Sequence, residues 1–309
     1  MTVLVFLNWP EKCFQANTGD LKYLRSLLPR GAKLVSVKSE RAFLKALPQA
    51  SVVITWHFRA EWYDKAKKLK WVATPAAGQE LISPPPNPSS FILHSSSSMV
   101  HFGHFHGAIM SESVVAFIMA WARGFFLDQP DAWPRTWMSD KCYEVAGTTA
   151  VIWGYGNIGK IIGEKLTALG VKVEGFSRHR PLKTSTLRGL SPDWFIDVLP
   201  STTGTGNLVN AKILSALPKK CVFINVGRGI SVDEEALIAA LEKGKLAGAY
   251  LDVAKHEPSG TGGDSPNKTL ARMQKIASVK NLKLMPHASA FSPNYLKRCF
   301  KELKNDGVL

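Results

Sequence analysis

The sequence predicts an α/β protein of two domains, each a parallel sheet with helices packed over it. Three observations carry that expectation. Short apolar runs of strand character alternate with amphipathic stretches along most of the chain, the pattern of β-strands joined by helical crossovers. Gly154-Tyr155-Gly156-Asn157-Ile158-Gly159 interrupts one of those alternations as G-x-G-x-x-G. At 309 residues the chain is also longer than one typical domain.

Residues 3–7 open the chain as a buried strand, and 21–28 read as a helix with Leu21, Leu24, Leu27 and Leu28 on one face. Residues 32–37, 51–55 and 71–74 look like further strands. Helical stretches at 40–47 and 63–69 separate them, which makes a first, smaller α/β unit. Prolines 84, 85, 86 and 88 stop any regular element, so 83–90 is a loop; 91–94 would be the last strand of this unit, and Ser95 to Ser98 a flexible joint. A boundary near residue 97 follows.

Beyond it lie His101, His104 and His106. No carboxylate or cysteine joins them at a helical interval, so they read as loop histidines near a cleft and no metal site is expected. From Ser111 to about Phe126 the chain is apolar nearly all round, with Val114, Val115, Phe117, Ile118, Met119, Ala120 and Trp121. Such a helix must be covered by more than one neighbour, and a homodimer contact would supply one.

The central unit spans 149–180. Residues 149–153 suit a strand buried on both faces, Ile161, Ile162, Leu166 and Leu169 recur at helical spacing, Gly170 ends that pattern, and 171–176 form the next strand. In this setting Gly154 permits a tight turn, Gly156 lets a pyrophosphate approach the backbone, and Gly159 lets helix and strand pack, with Tyr155, Asn157 and Ile158 between them at the helix N-terminus. The tip of the second strand selects the cofactor. An NAD site usually places Asp or Glu there for the ribose hydroxyl. This chain has Ser177-Arg178-His179-Arg180, where a hydroxyl and the guanidiniums of Arg178 and Arg180 suit a 2′-phosphate. NADP is expected, with NAD as the alternative.

Alternation then continues through strands at 194–199, 221–226, 247–253 and 282–285 and helices at 211–217 and 233–241. Ligands of such doubly wound sheets sit at the carboxyl ends of the strands, where Leu199-Pro200, Arg228, Asp252 and His287 fall.

Composition fits this class, with 45% hydrophobic and 20% charged residues. No run of about 18 apolar residues is present, and the N-terminus lacks the pattern of a cleaved leader, so a cytoplasmic enzyme without membrane contact is expected. Cys13, Cys142, Cys221 and Cys299 are far apart and suggest neither a zinc site nor a disulfide framework. The net charge of +15 is spread along the chain with no aromatic-and-basic motif beside it, so it is read as attraction for anionic substrate and cofactor, and no nucleic-acid partner is expected.

Three side chains carry chemistry. Arg228, between Gly227 and Gly229 after the apolar run 222–226, can grip a carboxylate bidentately. Glu257 follows Leu251-Asp252-Val253, and His287 sits in Pro286-His287. A histidine beside a carboxylate keeps its proton, which suits a general acid near neutral pH.

With these residues in view, the chain resembles the D-isomer-specific 2-hydroxyacid dehydrogenases, most closely the glyoxylate/hydroxypyruvate reductases among them. Trp56, Ala76-Ala77-Gly78, Ser111-Glu112, the 154–159 turn, Leu199-Pro200 with Thr202 and Thr205, Asn225-Val226-Gly227-Arg228-Gly229, Leu251-Asp252-Val253, Glu257-Pro258 and Pro286-His287 carry the likeness. The resemblance implies a doubly wound (Rossmann) dinucleotide-binding domain over 97–287 and a flavodoxin-like substrate domain over 1–96 plus 288–309. It implies that Arg228 binds the 2-oxo acid's carboxylate, that His287 protonates its carbonyl oxygen, and that Glu257 orients His287 and raises its pKa. Asp252, Val226 and Gly227 would lie at the cofactor, with Leu199, Pro200 and Thr205 lining its adenosine side. Ala77, Gly78 and Gln79 would offer backbone N–H groups to the substrate, Trp56 would close the pocket, and the cleft between domains would close by a hinge. Two departures stand out. Ala76-Ala77-Gly78-Gln79-Glu80 replaces the family's more usual Gly-Ala-Gly-Val-Asp, and Glu257 and His287 stand about ten residues further apart than is common, which implies an extra loop and helix, or a solvated insertion, at about 260–280.

The expected function is therefore NADPH-dependent reduction of small 2-oxo acids such as glyoxylate or hydroxypyruvate. The alternatives are an NAD-dependent dehydrogenase of the D-lactate or 3-phosphoglycerate type and a nucleotide-sensing scaffold without activity; the latter has no need of Arg228, Glu257 and His287 together.

Overall fold

The computed structural model describes residues 1–84, 100–127, 138–255, 257 and 266–309. They divide into two compact units, Met1–His106 with Phe291–Leu309, and Gly107–Ala290.

In the first unit, β1 (Thr2–Phe6), β2 (Lys33–Ser36), β3 (Val52–Thr55), β4 (Trp71–Thr74) and β5 (Val100–Phe102) form a parallel sheet in the order β2-β1-β3-β4-β5. Its helices start at side-chain caps. Asn17 accepts from the Asp20 amide at 3.0 Å while Asp20 accepts from the Asn17 amide at 3.1 Å, opening Thr18–Leu27; Ser39 caps Glu40–Ala46. Leu4, Phe43, Val53, Phe58, Trp62 and Val72 make the core.

Two sequence expectations change here. The helix expected over 63–69 is a 3₁₀ turn, Ala60–Lys65, in which the adjacent Trp62 and Tyr63 are both buried against the ring of Phe58. The units divide between His106 and Gly107 and between Ala290 and Phe291, not near 97 and 288, because Val100–Phe102 pairs in register with β4 and so belongs to the first sheet. The strand expected at 91–94 lies outside the described residues.

In the second unit, β6 (Thr149–Trp153), β7 (Lys172–Phe176), β8 (Trp194–Asp197), β9 (Val222–Asn225), β10 (Gly248–Leu251) and β11 (Leu282–Leu284) are all parallel, in the order β11-β10-β9-β8-β6-β7. Successive residues point to opposite faces of this sheet. Ala150, Ile152, Trp194, Ile196, Val222 and Ile224 pack under helices Gly107–Ala122 and Asn157–Ala168; Val151, Phe195, Phe223 and Ala249 pack under Glu234–Glu242 on the other side. Chain order reverses between β6 and β8, which opens a crevice at their carboxyl ends.

The long apolar helix runs Gly107–Ala122 and stops before 126, because Gly124 takes φ +73°, a left-handed terminus. Within 260–280 the chain forms the helix Pro266–Ala277, docked through Arg272, whose Nε and Nη2 meet Glu234 Oε2 at 2.8 and 2.6 Å. Ile276 enters the core, so this helix is packed and not merely solvated.

Candidate active site

The glycine turn follows from space. Gly154 has φ +102°, and a Cβ there would stand 2.6 Å from the Val198 carbonyl carbon. A Cβ at Gly159 would stand 2.4 Å from the Gly154 oxygen, so helix and strand could not approach as they do. A Cβ at Gly156 would meet nothing within 4 Å. That empty approach lies at the start of Asn157–Ala168, a helix with no side-chain cap, where an anion gains from the helix dipole. The tight turn, the open approach and the close packing expected of the three glycines are thus present as geometry. Tyr155 packs over Gly163 and Gly175, where any side chain would strike its ring.

At the tip of β7, Ser177 and Arg180 exchange backbone hydrogen bonds of 2.9 and 3.1 Å. Arg178 is exposed there. Arg180 has partners of its own: its Nη2 meets Glu174 Oε2 at 2.8 Å, its Nη1 donates to the Gly175 carbonyl, and its guanidinium lies 4.7 Å over the Phe176 ring. A carboxylate of β7 thus pairs with Arg180 at the surface, while Arg178 is exposed beside it. On the other side of the crevice a Cβ at Gly227 would lie 2.6 Å from the Leu199 oxygen, so Gly154, Leu199 and Gly227, with buried Val226 beside them, gather at one corner. The turn after Leu199 is closed by Thr205, whose Oγ1 donates to the Pro200 carbonyl at 2.7 Å.

Past the ends of β9, β10 and β11 the structure joins His287 to Glu257, Nδ1 to Oε2 at 2.8 Å. That hydrogen bond raises the His287 pKa above the usual imidazole value; burial and the Arg228 charge oppose the rise, and the charges of Glu257 and Asp252 add to it. Burial pushes the Glu257 carboxyl up, but the hydrogen bond and charge of His287 outweigh it, with smaller help from the Ala254 amide and Arg228, and leave it below its usual range. His287 has φ +53°, a left-handed conformation rare for a non-glycine residue. Asp252 holds it there: its carbonyl accepts from the His287 amide at 2.8 Å, and its Oδ1 accepts from Ala288 and Ser289 at 2.9 and 3.0 Å. Asp252 Oδ2 is buried with no hydrogen-bond partner, an acceptor that suits the carboxamide N–H of a nicotinamide.

Arg228 is half-buried, and Gly229 is needed beside it because a Cβ would stand 2.0 Å from the Ala254 carbonyl carbon. Its carbonyl accepts from Asn225 Nδ2 at 3.2 Å and from Ser231 Oγ at 2.7 Å. Ser231 Oγ also lies 2.5 Å from Asp197 Oδ2, and Asp197 Oδ1 accepts from the Leu199 amide at 2.8 Å. Burial drives the Asp197 pKa up to about 7 against those two hydrogen bonds. A serine hydroxyl has one proton for two acceptors. Both are satisfied when Asp197 is protonated and donates to Ser231, which then donates to the Arg228 carbonyl. Sequence reading passed over this support; its signal was one acidic residue ending the apolar strand Trp194–Asp197.

The remaining candidates lie in the first unit. Trp56 is buried, donates from Nε1 to the Phe14 carbonyl at 3.0 Å, and packs against the rings of Trp9 and Phe14. Ala77, Gly78 and Gln79 follow β4, with Ala77 and Gln79 exposed. Ala76 anchors that loop, its amide on Thr74 Oγ1 and its carbonyl on the Gly103 amide.

Residues 115–289 match the family described as "D-isomer specific 2-hydroxyacid dehydrogenase, NAD binding domain". Among curated relatives, D-3-phosphoglycerate dehydrogenase 1 of Saccharomyces cerevisiae is 31% identical over 189 residues, 58% of this chain and 40% of that one. The glyoxylate reductase of Thermococcus kodakarensis is 29% identical over 166 residues, 50% of this chain and 46% of that one. The chain thus spans less than half the length of either. The crystal structure of a D-isomer specific 2-hydroxyacid dehydrogenase from Lactobacillus delbrueckii ssp. bulgaricus, in its NAD-complexed form, superposes with a TM-score of 0.76 at 18% identity, covering 100% of this chain and 96% of that one. That likeness shows the two-unit parallel-sheet fold.

Proposed function

The chain belongs to the D-isomer specific 2-hydroxyacid dehydrogenase family, and from that premise we propose that it reduces small 2-oxo acids, such as glyoxylate or hydroxypyruvate, to D-2-hydroxy acids with NADPH. The observation that carries the reading is the 2.8 Å pairing of His287 with Glu257 beside Arg228, in the unit that also holds the open turn at Gly156. When bound, the nicotinamide supplies the hydride. Arg228 grips the substrate carboxylate with its planar fork. Glu257 occupies His287 Nδ1, so the transferable proton sits on Nε2, from which it passes to the carbonyl oxygen as that oxygen gains charge. Asp252 fixes the His287 backbone and offers Oδ2 to the carboxamide. Ala77, Gly78 and Gln79 contribute backbone N–H groups to substrate binding, and Trp56 an apolar wall, as the family resemblance implies.

Preference for NADPH is supported by the absence of a carboxylate at Ser177 and by exposed Arg178. A homodimer is supported by an exposed apolar strip, Met119, Phe125, Phe126 and Leu127, at the end of the long helix. No helix among the described residues is long and apolar enough to cross a membrane.

The test is a panel of 2-oxo acids followed by loss of NADPH or NADH absorbance. Turnover of glyoxylate or hydroxypyruvate with NADPH well above turnover with NADH supports the proposal. Preference for pyruvate or a phosphorylated oxo acid with NADH would move the chain to the D-lactate or 3-phosphoglycerate type.

A further inference from the structure

No carboxylate or cysteine joins His101 and His104 at a helical interval in the sequence, yet the fold brings two carboxylates to them from about 200 residues away. Glu302 lies in the last turn of the helix Tyr295–Asn305 and Asp306 is its C-terminal cap, four positions on, so the two share a face. His101 sits in β5 and His104 just past it. Asp306 Oδ2 lies 2.8 Å from His101 Nε2 and 2.9 Å from His104 Nε2, and Glu302 Oε2 lies 2.9 Å from His104 Nδ1. One potential ligand atom from each of the four residues falls within 4.8 Å of all the others. His106 stands apart, hydrogen-bonded to the Tyr295 hydroxyl at 2.8 Å.

We propose that His101, His104, Glu302 and Asp306 bind one divalent transition-metal ion, zinc by the chemistry of the ligands, and that the ion staples the C-terminal helix to the edge of the first sheet. Charge supports this. A metal takes the imidazole in its neutral form, so the two carboxylates of the set would bring −2, which one such ion cancels, and neither carboxylate forms a salt bridge with a Lys or Arg among the described residues. Burial supports it too. The Glu302 side chain is 8% exposed and that of His101 11%, and His101 Nδ1 is buried with no hydrogen-bond partner. A desolvated carboxylate such as that of Glu302 is costly unless a cation meets it, while His104 at 55% and Asp306 at 34% exposed leave a side open for an ion to enter.

Two nitrogens and two oxygens fit zinc better than calcium or magnesium, which take oxygen alone. Bonds of about 2.0–2.2 Å in a tetrahedron put ligand atoms about 3.3–3.6 Å apart, within side-chain adjustment of the present positions. The ion would join segments about 200 residues apart, and crosslinks over such spans restrict the unfolded chain most. It would also brace Gly103, whose amide bonds the Thr74 and Ala76 carbonyls just before Ala77, Gly78 and Gln79.

The full chain, stripped with a chelator, is titrated with ZnCl₂ by calorimetry and equilibrium dialysis, then with CoCl₂ for spectroscopy. The expected result is one equivalent of zinc bound at micromolar concentration or below, with a rise of a few degrees in Tm. Cobalt should give visible d–d bands without a thiolate-to-cobalt charge-transfer band, and two paramagnetically shifted histidine N–H resonances. His101→Ala and Asp306→Asn should each weaken zinc by at least about a hundredfold and abolish its effect on Tm. Absence of stoichiometric zinc at about 100 μM overturns the proposal. So does a thiolate band, or zinc binding that both variants retain. If a variant fails to fold, the cobalt spectrum of the unaltered chain decides alone.

Discussion

Replacing Asp197 by asparagine isolates a buried carboxyl on which stability and site geometry both depend. Asp197 is fully buried, and its pKa rises from an ordinary 3.8 to about 7. A carboxyl whose folded pKa is raised contributes most below its unfolded pKa, and that contribution is lost as pH rises through the folded value. Each pH unit between the two is worth about 1.36 kcal/mol, so ionising the folded protein costs about 4 kcal/mol in full. The amide of Asp197→Asn reproduces the protonated acid: its N–H₂ donates to Ser231 Oγ and its oxygen accepts from the Leu199 amide. The variant escapes the titration. At pH 5 the wild type has lost roughly 1.5 kcal/mol and at pH 8 nearly the full amount, so the advantage of the variant should widen by about 2.5 kcal/mol between those pH values. Urea unfolding followed by tryptophan fluorescence reads this well, because Trp153 and Trp194 lie in the same sheet. A stability gap that is the same at pH 5 and pH 8 would refute the protonated Asp197 and with it the proton account given for Ser231 and the Arg228 carbonyl.

Gly156→Ala adds a methyl group where nothing lies within 4 Å, so Tm should stay within about 1 °C while NADPH affinity, read by fluorescence titration, falls at least tenfold; unchanged affinity would remove the pyrophosphate from that turn. Glu257→Gln removes the partner that raises the His287 pKa, so the imidazolium is lost sooner as pH rises and the decline of reduction should move to lower pH in a kcat profile. An unmoved profile separates the two residues. Arg178→Ala should weaken NADPH by roughly tenfold to a hundredfold and NADH hardly at all, whereas Arg180→Ala should affect both little because Glu174 holds that guanidinium; inhibition and KM measurements with both cofactors decide. Light scattering at micromolar concentration should give a dimer mass, and Phe125→Asp with Met119→Asp should shift it to a monomer.

What the sequence determined by itself is local. Apolar periodicity separated strands from helices over a few residues at a time, and the order of those elements implied two parallel sheets. The 154–159 turn was legible because each glycine answers a constraint set by its nearest neighbours, and Arg228, Glu257 and His287 were legible because strand ends follow apolar runs. What only the tertiary structure decided is partnership. Glu174 pairs with Arg180, β4 pairs with Val100–Phe102, Asp197 at the end of β8 meets Ser231 in the turn past β9, and Glu302 and Asp306 reach His101 and His104 from about 200 residues away. Periodicity reports which face of an element is buried; it carries no information on which distant element will cover it. Strand order and chain reversal choose those neighbours, and a side chain's charge, proton or ligand then depends on which neighbour it receives.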